Sequence, residues 1–443
     1  MLTLDSSPIA WLNRQYFDLG PMNGGKPHHH GIEFNYDSLI NNATLPYTVQ
    51  VNISPLFRKS LVKETGMFQY QVDHPLQLAK ELRTERWEKF CEYLSNYQEL
   101  PNLTKLRVMN VLRSLCFHRV VKEYIPEMSS SEIADNVELA TLAWCRALSS
   151  LITRFDDQTF DYIQEVEAIA THAPSGSKPK INAGLQLVVE YAKTLGDLAT
   201  AEFWREEVTK DIQQLKPSLN DFEYNFLMSM YYRSVSFVPF LRRDKQKVVE
   251  EMDLCESYAR SLLNGENELQ KVVAWENLSL CLESRSKESI WLNNLDLAEE
   301  RVRTIVQMEP LESRYHLELG EVLIKQGKLE EAAKVYRSAT RLGPPGTPVA
   351  WFMAGQCHEK MGELEVASDC YLASLKIEPE AISVLQLLSN LAPRLGNPAL
   401  INWSNLRLAE LQEQQQKSQP KTTPAFQTES VSSLKRSADK ALV

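Results

Sequence analysis

Two stretches of this 443-residue chain are copies of one another. "SRYHLELGEVLIKQGKLEEAAKVYRSATRLGPP" begins at Ser313 and "PVAWFMAGQCHEKMGELEVASDCYLASLKIEPE" at Pro348. Setting Gly320 on Gly355 brings Gly327 onto Gly362, Ala332 onto Ala367, Tyr336 onto Tyr371 and Pro344 onto Pro379, always 35 residues apart. Each copy has apolar residues at helical spacing on both sides of a central glycine, the pattern of two helices joined by a tight turn. Such a pair cannot bury both apolar faces by itself. It must stack on neighbours of the same kind, so a serial array of helix pairs is expected.

The two copies resemble the tetratricopeptide repeat, a helix-turn-helix unit of 34 residues. The family places a small residue at its eighth position, small residues at the twentieth and twenty-seventh, an aromatic at the twenty-fourth and Pro at the thirty-second. Gly320, Ala332, Tyr336, Ala339 and Pro344 match in the first copy; Trp351, Gly355, Ala367, Tyr371, Ser374 and Pro379 match in the second. The small residues let two helices cross closely, the aromatic fills the space between neighbours, and Pro ends the second helix because it has no N–H. The resemblance covers 313–381 and extends less completely over 270–410. There Trp275, Ala298 and Pro310 fit if the turn is about seven residues longer than usual, and Gly396 with Pro393 suggests a terminal cap. Gly196 and Ala201 stand at the same separation farther upstream.

The resemblance implies an all-α solenoid that binds protein segments in a concave groove lined by the first helix of each repeat. The implied partner-binding positions are Arg314, Leu317, Glu321 and Ile324 in the first copy, and Val349, Phe352, Gln356 and Glu359 in the second. The family's carboxylate clamp uses Lys and Asn where this chain has Leu317 and Glu321, then Phe352 and Gln356. An acid opposes an anion there, so a mixed apolar and polar groove is expected to take an amphipathic helix or an extended segment.

Helical periodicity also runs through 76–269, for example in "PLQLAKELRTERWEKFCEYLSNY" and "VELATLAWCRALSSLITRF", which is consistent with divergent repeats or with a bundle. Residues 1–75 form an extension in which "GIEFNYD" and "YTVQVNIS" alternate with period two, so a small β-ribbon is expected. The organisation expected is therefore 1–75, 76–269, 270–411, and a polar, Gln- and Ser-rich tail at 412–443 that cannot offset its ordering entropy.

Composition narrows the function. The chain is 43% hydrophobic and carries a formal charge of −10, with no basic stripe, so neither nucleic acid nor an anionic membrane is an expected partner. No stretch approaches 18 apolar residues, no leader is legible, and the seven scattered cysteines lack a C-x-x-C pair, so a cytoplasmic protein with reduced core cysteines is expected. Phosphate loops, nucleophile elbows and H-E-x-x-H are all missing.

One segment departs from this picture. "KPHHHGIEFNYDS" concentrates His28, His29, His30 and Glu33, and His28, His30 and Glu33 form a two-histidine, one-carboxylate set if the chain turns at Gly31, with Asp73 and His74 as further ligands. A solvated loop or a contact to an anionic ligand accounts for the same residues. The expectation is a non-enzymatic scaffold or adaptor that needs no cofactor. The alternative is a metal-dependent enzyme or peptide-modifying accessory factor using that histidine cluster. A regulator acting by sequestration is a third possibility.

Overall fold

A computed structural model describes residues 28–29, 32–33, 74–77, 79–83, 85–114, 117–154, 162–266, 268–308, 313–342 and 347–418. At the N-terminal end, β1 (His28–His29) pairs antiparallel with β2 (Ile32–Glu33), with His28 opposite Glu33. The expected strand at 47–53, Phe34 and Tyr36, and the metal-site candidates His30 and Asp73 lie outside the described residues. Everything else described is helical or connects helices, as the periodicity predicts.

The chain divides into two compact units, Met1–Thr347 and Pro348–Val443. Unit 1 opens with α1 (Glu85–Ser95), α2 (Asn102–Ser114), α3 (His118–Tyr124), α4 (Ser130–Asp135), α5 (Val137–Thr153) and α6 (Tyr162–His172). Phe90, Leu94, Met109, Leu112 and Val121 form one core there. α5 contributes Leu142 and Cys145 to that core and Ala140, Trp144 and Ala147 to the next. Sequence signals fix the helix starts: Ser129 and Glu132 make a reciprocal capping box, and Asn136 accepts from the N–H groups of Glu138 and Leu139.

Helix pairs follow in series. α7 (Lys178–Val189) runs on as a π-helical segment to Leu195 and pairs with α8 (Leu198–Leu215). α9 (Asp221–Val235), with the short α10 (Phe237–Leu241), pairs with α11 (Lys245–Ser261). α12 (Glu268–Trp291) pairs with α13 (Leu295–Met308), and α14 (Ser313–Lys325) with α15 (Leu329–Ala339). Unit 2 holds α16 (Thr347–Lys360), α17 (Leu364–Ile377), α18 (Ile382–Leu391) and α19 (Pro398–Ser418).

Every pair turns in the same way. One residue at each turn has a positive φ: Gly196 (69°), Arg243 (59°), Asn293 (61°), Gly327 (77°), Gly362 (82°) and Gly396 (62°). The residue after it sends its N–H back to a carbonyl of the ending helix, as in Asp244 to Pro239 (2.9 Å), Asn294 to Ser289 (2.8 Å), Lys328 to Leu323 (2.9 Å) and Glu363 to His358 (2.9 Å). This bond occupies a carbonyl that the helix end would otherwise leave unpaired. Asp197, Asp244, Asn294 and Asn397 then cap the second helix through their side chains.

These turns also set the register. Seven residues before the last five of them stand Ser236, Ser286, Gly320, Gly355 and Ser389, all small. Twelve residues after Ser286, Gly320 and Gly355 stand Ala298, Ala332 and Ala367, each fully buried. Ser286 donates its hydroxyl to the Ala298 carbonyl (3.4 Å), the same crossing that Gly355 makes beside the Ala367 carbonyl. The turn after Trp275 is therefore not seven residues longer than usual. It is as tight as the others, the repeat is in step with its successors through Ser286 rather than Trp275, and the extra length is in α12, which starts early.

The structure bears on three other expectations. The boundary proposed at residue 270 falls inside a continuous unit, where Cys255 of α11 and Cys281 of α12 bring their sulfurs to 3.3 Å. α19 continues to Ser418, past the tail boundary expected at 412; the residues beyond lie outside the described set. Cys91, Cys145, Cys255, Cys281, Cys357 and Cys370 are buried free thiols, while Cys116 lies outside the described residues. Among the described residues no helix is long and apolar enough to cross a membrane.

Candidate functional site

The corrected register identifies an outward face on the first helix of each pair. On α14 the residues Tyr315, Leu319, Gly320, Val322 and Leu323 are buried, whereas Arg314, Leu317, Glu321 and Ile324 are partly open. The equivalent positions on α12 are Leu280, Glu283, Lys287 and Ile290, and on α9 and α10 they are Met230, Arg233, Phe237 and Phe240. None of these is fully buried, although Cys281, Leu282 and Ser286 between them on α12 are. A helix period of 3.6 puts residues three and four apart on one side, so each set forms a stripe.

Ion pairs join the stripes of α12 and α14. Arg314 reaches Glu283 (3.3 Å), and Lys287 bridges Glu283 (2.8 Å) and Glu318 (3.2 Å). Burial would raise the Glu283 carboxyl, but Arg314, Lys287 and Arg233 outweigh it and hold the group below the usual carboxylate range. Glu318 goes the other way. Its burial raises the pKa against Lys287, and the neighbouring Glu283 adds to the rise. The Arg314 guanidinium also lies over the Tyr315 ring (5.0 Å) and donates to its hydroxyl (3.1 Å). Glu321 pairs with Lys325 on its own helix (3.4 Å). The face is thus pre-formed: its long side chains are held by partners rather than left to rotate.

In unit 2, Val349 is 47% exposed, and Phe352 and Gln356 are partly open. Phe352 packs at 6.1 Å from the Tyr371 ring. Glu359 is already committed, accepting the Tyr371 hydroxyl (2.8 Å) and the Arg394 guanidinium (2.7 Å). It supports the packing of its unit as much as it offers a contact. On α18 the corresponding positions are Ser383, Gln386 and Asn390, all exposed.

Sequence reasoning therefore named the stripe of α14 but missed that of α12, because it took its register there from Trp275, and those of α9 and α10, where no glycine marks the turn. The signal was present as a small residue, six residues, then a left-handed residue followed by an Asx cap: Ser286 to Asn293-Asn294, and Ser236 to Arg243-Asp244.

For the histidine segment, the backbone register sets His28 opposite Glu33, and the side chains lie outside the described residues. His74, a further ligand candidate, already uses Nδ1 to accept the Leu76 N–H (3.0 Å). Among the described residues no group of three or more His, Cys, Asp or Glu is placed to hold a metal ion.

Comparison with known proteins gives the following. Two profiles described as tetratricopeptide repeat match residues 292–347 and 348–380. No curated protein sequence matches the chain. Among solved structures, the chain is similar to the MamA RS-1 ArsTM double mutant (16% identity, TM-score 0.34, 43% of this chain and 98% of that one). It is similar also to YrrB, described as a tetratricopeptide protein with an unusual peptide-binding site (15%, 0.31, 47% and 90%). A signal-transduction ATPase with a tetratricopeptide repeat sensor from Pyrococcus horikoshii is similar over more of this chain (12%, 0.47, 92% and 60%).

Proposed function

Because residues 292–380 are tetratricopeptide repeats, we propose that the chain is an interaction scaffold that holds a protein segment against the outward face of the first helices of its repeats. The observation that supports this most is the continuity of that face in unit 1. Arg314 and Glu318 of α14 are tied to Glu283 and Lys287 of α12 by ion pairs, and Leu317 and Glu321 lie on the same side of α14. A pre-ordered face loses little side-chain entropy on binding. Its alternation of Leu280, Ile290, Leu317 and Ile324 with charged groups suits a segment that presents one apolar side and one polar side. Val349, Phe352 and Gln356 offer the equivalent positions of unit 2.

The test is affinity purification of the full chain followed by mass spectrometry, repeated with Arg314→Glu plus Phe352→Ala and, separately, with Leu317→Arg. The second variant leaves the Arg314–Glu283 pair intact. A reproducible set of partners should be lost from both variants, with the circular dichroism of both and the melting temperature of Leu317→Arg near wild type. Partners retained by folded variants would rule the face out.

A further inference from the structure

One end of the unit 1 face has a different chemistry. Phe237 and Phe240 occupy its positions on α10, and their rings lie 6.3 Å apart, edge to face. Phe240 is 39% exposed and packs on Trp291, the last residue of α12, at 4.9 Å. Two ammonium groups lie over these rings: Lys193 over Phe237 and Lys245 over Trp291, both at 5.7 Å. The turn that carries Lys245 reads Arg242, Arg243, Asp244, Lys245, Gln246, Lys247, and every one of them is exposed.

The charges there do not cancel. The Asp244 carboxylate is used as the cap of α11, accepting the Lys247 N–H (3.0 Å). Arg242 pairs with Glu202 and Lys247 with Glu250. Lys193, Arg243 and Lys245 have no carboxylate partner among the described residues. In a chain of net charge −10 this is a local cationic, aromatic end on an otherwise mixed face.

Resting on the proposed function, we infer that this end, built from Lys193, Phe237, Phe240, Arg243, Lys245 and Trp291, takes an acidic peptide segment carrying an apolar anchor. The anchor rests against the open part of Phe240, and carboxylates meet the unpaired cations, which is charge complementarity that also speeds encounter. A single-stranded nucleic acid would seek the same signs of charge. Its bases need open ring faces on which to stack. Here Lys193 and Lys245 already cover the faces of Phe237 and Trp291.

The experiment is selection from a random dodecapeptide display library on the immobilised full chain, with the enriched peptides synthesised and titrated against wild type, Phe240→Ala and Lys245→Glu. Enriched peptides should carry several Asp or Glu around an aromatic or aliphatic residue. Their binding should weaken at least tenfold in each variant and severalfold between 50 and 300 mM salt. Lys334→Glu, at an exposed position of α15 outside the face, should leave it within twofold. Both patch positions are exposed, and a melting curve of each variant shows whether it is folded. Peptides without acidic residues, acidic peptides indifferent to both patch variants, or tighter binding of a single-stranded oligonucleotide 12-mer with the same variant pattern would each overturn the inference. Peptides that respond to Leu317→Arg but not to Phe240→Ala would leave the scaffold reading standing and remove only this end of it.

Discussion

Tyr371 lies directly against Gly355: a methyl group on Gly355 would stand 2.6 Å from Tyr371 Cε1 and 3.3 Å from the Ala367 carbonyl oxygen. Tyr336 covers Gly320 in the same way in the preceding repeat. Two opposed effects decide what a substitution does. Alanine in a helix is worth about 1 kcal/mol over glycine, but forcing a methyl into a filled core costs about 1–3 kcal/mol. With Tyr371 fully buried and its hydroxyl tied to Glu359, the ring cannot swing away, so the steric cost wins. Gly355→Ala should lower stability by about 1–2 kcal/mol in denaturant titration, and Tyr371→Leu in the same chain should return part of it. An unchanged or higher midpoint for Gly355→Ala alone would mean that the helices can part at this crossing.

This contact explains why the repeat was legible where it was. Gly320 with Tyr336 and Gly355 with Tyr371 use the same letters for the same job, so the eye finds them. Ser286 and Ala298 make the same crossing in different letters, and Asn293 takes the left-handed place that glycine fills elsewhere. Trp275, a conspicuous residue three turns before Ser286, then drew the register off by seven. The stripe of α14 followed from a correct register, and Glu283 and Lys287 were lost with the wrong one. At Arg243 there was little to find, since nothing in an arginine announces a positive φ; only the Asp that follows it marks the turn.

The two non-glycine turn residues give a second prediction. A left-handed conformation costs an ordinary L-residue about 1 kcal/mol, and asparagine less. Arg243→Gly should therefore raise stability by about 1 kcal/mol and Asn293→Gly by roughly half of that, while Asn293→Val should be clearly destabilising because a β-branched residue tolerates this region poorly. Thermal melts of the three variants would show the order. Equal effects at 243 and 293 would contradict it.

Glu299 links the last two pairs of unit 1 and supplies an acid-dependent term. It accepts from Lys328 (2.7 Å) and from Arg303 on its own helix (2.7 Å), and these bonds, led by that to Lys328, hold its carboxyl down at about 2. The pKa is lower folded than unfolded, so its contribution is complete above the usual 4.5 and disappears as pH falls from there toward 2. Glu299→Gln should melt below wild type at pH 7, and the gap should close by about pH 2–3. A gap that stays constant with pH would show that the carboxylate charge is not what matters.

Arg285 and Glu288 set up the opposite dependence. Arg285 is buried and bridges three carboxylates: Asp253 (2.6 Å), Glu256 (3.2 Å) and Glu288 (2.8 Å), with Arg301 3.7 Å from Glu288. Burial pushes the Glu288 carboxyl up to about 7, although Arg285 and Arg301 oppose the rise. The folded chain therefore keeps a proton that the unfolded chain releases between pH 4.5 and 7, and acidification across that window stabilises the fold. Removing the cation sharpens the effect. Arg285→Met leaves Glu288 with only the more distant Arg301 (3.7 Å), which for a buried pair costs about 3–5 kcal/mol, while Glu256 keeps Arg260 (2.7 Å). Near pH 8 the full loss should appear. At pH 5.5 Glu288 takes up a proton and is no longer an uncompensated charge, so at least half of the loss should be recovered. Adding Glu288→Leu to Arg285→Met should restore most of the stability at pH 8, since an apolar replacement of a buried pair is close to neutral. Chemical denaturation at the two pH values separates the outcomes: a loss that is the same at both, and that Glu288→Leu does not relieve, would mean that Arg285 acts through Asp253 and Glu256 instead.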